Sequence, residues 1–328
     1  MDFKFCLTLA ALSMLNGVPC NAQAGKTGEH LDYHEVKQID IDRLNRDLKN
    51  GMPTVDLSIY LGETTGFPHG YIAVPGELVG SIQKAKNIFI QAGVQLKVCG
   101  VKRVVMSADW LELTANTIEG VAVDPKYNAY LGYRRAKWAL TKKATRVFDG
   151  MVEQEENNDR TVYLLFLKEV KMAYFDRSGN GKPKIRSIAT GGLSFPSYLF
   201  EDRIPRRLRG VITLCRDRGD VGRTIAHELG HKLINVSHEY RHIDPRFEVR
   251  GEGGLMIYGS GTEIPAGKAG RWQKERLHLS PYIYRRAKDG SRRWNRDYQE
   301  TGHYFDPVYG DHVTPFGEMK LPSAESSE

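Results

Sequence analysis

The sequence predicts an α+β fold, a twisted mixed sheet with helices packed on it, and three observations predict it. Short apolar runs of strand length recur along the chain, bounded by glycine, proline or asparagine. Stretches with apolar residues at three- and four-residue spacing are set between those runs. At 328 residues, 41% hydrophobic and 27% charged, the chain can bury one large core, which excludes wholesale disorder.

The chain begins with Lys4 ahead of an apolar stretch from Cys6 to Val18, then Ala22-Gln23-Ala24 before Gly25. This is the layout of a secretory signal peptide over residues 1–24, so the remainder is expected to be secreted or periplasmic. Residues 25–51 are polar apart from an amphipathic stretch from Ile39 to Leu48, and read as an N-terminal arm or short pro-segment. Residues 52–310 carry no linker and read as one domain, with 311–328 a disordered tail.

Within that domain, Thr54 to Leu61 alternates Val55, Leu57, Ile59 and Leu61 with Thr54, Asp56, Ser58 and Tyr60, the pattern of a half-buried strand. From Pro75 to Ala92 the residues Leu78, Val79, Ile82, Ala85 and Phe89 recur at helical spacing, opened by Pro75 and closed by Gly93. Val94 to Val105 is the next strand. Asn128 to Glu156 reads as a charged outer helix with a thin apolar stripe of Trp138, Leu140 and Val147. Thr161 to Val170, Gly191 to Pro196 and Gly210 to Leu214 complete a sheet of five strands, the middle one of these three blunted by Pro196. Gly219 to Asn235 is a helix, and Leu277, Leu279, Ile283 and Tyr284 suggest a C-terminal helical subdomain.

Several function classes fall away. No apolar run approaches the ~20 residues of a membrane-spanning helix. The formal charge of +7 is scattered, with local density at Arg134 to Lys143, Arg203 to Arg209 and Arg285 to Arg296. No nucleic-acid module accompanies it, so solvated faces are the default reading. Cys99 and Cys215 lie in or beside apolar runs, where two buried free thiols and a disulfide are equally open. Asp176 to Gly181 resembles the first half of a calcium loop, but Ser187 stands where a bidentate glutamate belongs, so a plain turn is expected.

The chemistry is concentrated in His227-Glu228-Leu229-Gly230-His231. On a helix, His227 and His231 leave one face a turn apart and can reach one metal ion. Glu228 lies beside the open coordination position, where a carboxylate can take a proton from metal-activated water. Ile225, Leu229 and Leu233 give the opposite face an anchor in the core. A third ligand has to come from further on. His238 requires the chain to turn, and Asn235 is a residue type that ends helices in the left-handed conformation. His242 and Glu239 are substitutes. Asp244, Glu248 and Glu252 are weaker candidates, because prolines and glycines around them oppose a helix. Met256 and Tyr258 follow in a glycine-flanked turn.

Together these residues resemble the metzincin zinc endopeptidases, whose pattern is HExxHxxGxxH followed by a methionine-containing turn. The resemblance covers residues 54–285 coarsely and is specific only at His227 to His238 and Leu255 to Tyr258. It implies a zincin fold with a zinc ion on His227, His231 and His238, and Glu228 as general base. It also implies that Met256 floors the site and that Tyr258 supports the oxyanion. The strand from Gly191 to Ser197 would be the edge that pairs with an extended substrate. The pattern departs at one point: Ile234 and Ser237 occupy the family's glycine and third-ligand positions. One inserted residue restores the match, with Asn235 in the glycine's place and His238 in the ligand's. The expected activity is hydrolysis of protein or peptide substrates by a monomer. The alternatives are a non-proteolytic binding protein of the same fold and a zinc hydrolase of a non-peptide amide bond.

Overall fold

A computed structural model describes residues 31–64, 75–119, 137–153, 159–176, 184–215, 219–236, 238, 254–257, 261–264, 273–274, 276–297, 300, 313–314 and 317–318. The chain is mixed α+β, and its largest sheet has eight strands rather than five. Strands β1 (Asp32–Glu35), β2 (Thr54–Glu63) and β3 (Gln95–Val105) precede β4 (Glu112–Thr114), β5 (Asn116–Glu119) and β6 (Lys137–Leu140). After them come β7 (Val162–Phe166), β8 (Glu169–Asp176), β9 (Lys184–Thr190), β10 (Gly192–Ser194) and β11 (Val211–Leu214), then β12 (Tyr284–Arg286), β13 (Arg292–Trp294) and the short pair β14 (Val313–Thr314) and β15 (Gly317–Glu318). The main sheet runs β1-β3-β2-β7-β11-β10. β3, β2, β7 and β11 are mutually parallel, and β1 and β10 close the two ends antiparallel.

The period-two reading of β2 was right in phase and wrong in outcome. Every residue from Thr54 to Glu63 except Ser58 is buried, because both faces of the sheet are covered. Val55, Leu57, Ile59 and Leu61 join a core under helices α2 (Pro75–Phe89) and α5 (Val221–Gly230). Tyr60 joins a second core with Trp110, Phe148 and Met151, the last two on α3 (Lys142–Met151). β7 divides the same way, with Val162, Leu164 and Phe166 in the first core and Tyr163 and Leu165 in the second. A strand can bury nine of its ten positions when the two faces feed two different cores.

Several boundaries differ from the sequence reading. The stretch read as an arm supplies β1, which pairs with β3, and a short helix α1 (Ile41–Asn45). Asn45 bonds both the N–H and the C=O of Val98, at 3.0 and 2.7 Å. Val98 sits where the β2–β3 register slips between Leu57 and Ser58, leaving Cys99 as the extra residue of a bulge. The bulge is why Cys99 is exposed rather than buried; Cys99 and Cys215 are both free thiols. Residues 137–140, inside the stretch expected to be helical from Asn128 to Glu156, form a strand pairing with β5, and α3 is N-capped by the Thr141 hydroxyl at 3.0 Å. The long run from Thr161 splits into β7 and β8, and β8 leaves to pair with β4 and β9 in a separate sheet. The expected C-terminal helix is present but short, with residues 273–274 and 276–278 helical, and after it the hairpin β12–β13 joins the main sheet through Tyr284 and Thr54.

Candidate metal centre

α5 follows β11 and lies along α2, where Gly222 comes so close to the Ser81 carbonyl and Lys84 that a side chain there would collide. Asp220 caps the helix, accepting from the Arg223 N–H at 3.1 Å. Ile225, Leu229 and Leu233 are fully buried in the first core, which fixes the rotation of the helix about its axis. His227 and Glu228 then point away from that core with His231, one turn on.

The helix does not end at His231. Residues His231–Asn235 widen into a π turn, the form in which a helix accommodates one extra residue. Asn235 closes it at φ 55°, in the left-handed region. Its side-chain oxygen accepts from the Ser197 hydroxyl and the Tyr198 N–H, both at 3.0 Å, tying the turn to helix α4 (Ser197–Phe200). Val236 returns to extended backbone, and His238 comes back over the helix face. The extra residue of the π turn is thus taken up inside the helix before the chain turns at Asn235.

The three imidazoles converge. Nε2 of His238 lies 3.0 Å from Nε2 of His227 and 3.3 Å from Nε2 of His231. Nδ1 of His227 donates to the Leu255 carbonyl at 2.7 Å, and Nδ1 of His231 donates to the Val236 carbonyl at 2.6 Å. A carbonyl can only accept, so each of those Nδ1 atoms carries the proton and each Nε2 presents a lone pair. Burial, the largest cause, holds all three rings well below the usual histidine range, that of His231 at about 4. One proton on His238 could satisfy only one of its two neighbours, whereas a cation satisfies all three. Ligands at ~2.0–2.1 Å in a tetrahedral site lie roughly 3.3 Å apart, which these separations fit. His227, His231 and His238 could hold a metal ion.

No family model and no curated protein matches the chain. The residues around the triad are therefore read from their own geometry. Glu228 is buried, accepts from the backbone N–H of Ser194 on β10, and is pushed up to about 8, chiefly by burial. Gly192 allows that approach, since a side chain there would strike Glu228 and Thr224. Met256 is fully buried with its sulfur against Gly230, beneath the helix turn that bears His231.

Two residues with structural duties here were passed over in the sequence. Arg223 donates to the carbonyls of Leu255, Ile257 and Gly261, at 3.0, 2.7 and 3.2 Å, holding the methionine turn under the helix. Lys232 is buried, and its ammonium donates to the carbonyls of Phe195 at 2.7 Å and Arg209 at 2.6 Å. Burial lowers it to about 7, against the attraction of Glu228 four residues earlier. Their signal was a cation inside an otherwise apolar helix, a pattern that asks for buried partners. Tyr258, His242, Glu239, Asp244, Glu248 and Glu252 lie outside the described residues.

Proposed function

We propose that the chain is an exported zinc-dependent endopeptidase of metzincin type. The observation that carries this reading is the convergence of three neutral imidazole nitrogens beside a buried carboxylate that touches an edge strand. Imidazole donors suit zinc, and a three-histidine set leaves a fourth position open. A zinc ion there supplies a water whose pKa falls from 15.7 to about 7.

The chain's own residues supply the rest. Leu255 and Val236 hold His227 and His231 in the tautomer that faces the metal. Glu228 takes the proton of the attacking water and returns it to the leaving amine. β10, antiparallel at the sheet edge, offers the direction along which an extended peptide would lie beside Glu228. Tyr258 keeps its proposed place as oxyanion donor. The π turn and Asn235 support a divergent form of the family pattern, in which the third ligand arrives one residue late.

The test is digestion of a peptide library by the wild type, with and without a chelator, beside Glu228→Gln. The wild type should cleave only with metal, and Glu228→Gln should retain zinc and lose cleavage. Zinc-loaded protein that cleaves no peptide, or a Glu228→Gln variant as active as wild type, rejects the proposal.

A further inference from the structure

The β12–β13 hairpin carries a charge arrangement that the fold does not require. Its register sets Arg285 opposite Arg293 and Arg286 opposite Arg292. Like charges directly opposed across an antiparallel pair are destabilising, and here two such pairs are adjacent. Lys288 stands in the connecting turn and Arg296 just beyond β13, and all six cations are exposed.

Some of this charge is neutralised. Arg292 pairs at 2.8 Å with the buried Asp56, which also accepts from the Tyr284 hydroxyl at 2.8 Å. Arg286 bonds the same hydroxyl. The hairpin's one carboxylate, Asp289, is held in the turn by the Ser291 N–H and hydroxyl at 2.9 and 2.6 Å. Among the described residues Arg285 reaches the Gly51 carbonyl, at 3.2 Å. Among the described residues no carboxylate pairs with Arg285, Lys288, Arg293 or Arg296.

We infer that the β12–β13 hairpin is a docking site for a linear acidic polysaccharide. Cross-strand partners share a face, so Arg285 and Arg293 lie on one side of the ribbon, Arg286 and Arg292 on the other, and Lys288 at the tip. The cations that no described carboxylate pairs with, Arg285 and Arg293 on one side and Lys288 at the tip, form a line that suits an extended chain, and the tip residues Lys288-Asp289-Gly290 offer no apolar anchor for a membrane surface. A single-stranded nucleic acid needs an aromatic face for its bases. Tyr284 is fully buried, and Trp294 has Arg160 and Arg292 over its ring at 5.6 and 5.8 Å. Guanidinium groups pair sulfate and carboxylate with two parallel hydrogen bonds, the chemistry an acidic sugar chain presents at regular intervals. None of these residues belongs to the histidine triad, so the inference does not depend on it.

The full chain is applied to immobilised heparin and, separately, to polygalacturonate, and binding is followed against salt. Heparin binding alone identifies sulfate as the partner group, and binding to both admits carboxylate. Arg293→Glu should weaken binding about tenfold and flatten its salt dependence, as loss of a counterion-releasing contact does. That substitution puts opposite charges across the strands beside Arg285, so the hairpin should persist. Lys184→Glu, on β9 of the other sheet, makes the same change in net charge and should leave binding as in the wild type. Equal weakening by both substitutions would reduce the effect to overall charge and overturn the proposal. So would tighter binding to single-stranded DNA or to anionic phospholipid vesicles, lost in Arg293→Glu.

Discussion

Asn235 and Cys99 show how one residue's conformation carries a function or removes one. Asn235 combines a left-handed backbone with two accepted hydrogen bonds, and the return of His238 to the helix face depends on both. Asn235→Ala should cost about 2 kcal/mol, from backbone strain and the two lost bonds, read as a shift in urea midpoint. Asn235→Gly should recover the backbone part alone. Cys99 is exposed yet poorly reactive: burial of the thiol, then the nearby Asp56, pushes it up to about 11. Only the thiolate attacks, and a raised thiol pKa depletes it at neutral pH. Alkylation by iodoacetamide should therefore keep climbing about tenfold per pH unit beyond pH 9, where an ordinary thiol levels off. A plateau near the ordinary value of 9.0 would contradict that assignment.

At the scale of elements, helix α5 and strand β10 act as one unit. Glu228 takes the Ser194 N–H and Lys232 the Phe195 carbonyl, so two side chains one helical turn apart grip neighbouring residues of the edge. Lys232→Met should leave the urea midpoint close to wild type, because a buried charge is removed along with its bonds. Amide hydrogen exchange across 192–194 should nevertheless speed up about tenfold, as loss of one such tie would allow. Unchanged exchange there would mean that Lys232 does not hold the edge. This contact explains what the sequence could and could not disclose. His227, Glu228 and His231 were legible because their chemistry depends on spacing within one helix. His238 was legible once Asn235 was read as a turn residue. Lys232 and Arg223 were not, since their partners are backbone carbonyls distant along the chain. The extent of the sheet was hidden for a related reason. Short strands such as Asp32–Glu35 and Arg292–Trp294 carry little apolar pattern of their own and are defined by the neighbour they pair with.

For the whole molecule, stability rests on two cores separated by one sheet, and a metal held by the three histidines would add to it by binding the folded state alone. Zinc at a thousandfold excess over its dissociation constant should stabilise the protein by about 4 kcal/mol, read as a rise in melting temperature. His231→Ala should abolish that rise while leaving the metal-free melt within a few degrees of wild type. Leu229→Ala, on the far side of the same helix and fully buried, should lower the metal-free melt itself by the equivalent of about 3 kcal/mol.

The donors at 227, 231 and 238 are so near one another along the chain that an ion bridging them fastens a very small ring. The entropy of closing a ring grows only slowly with its length, and this one spans a single helical end. Removing a cation held there would therefore loosen a hasp at one helix end, and the empty protein should persist as a competent receptor, ready to be charged again without refolding.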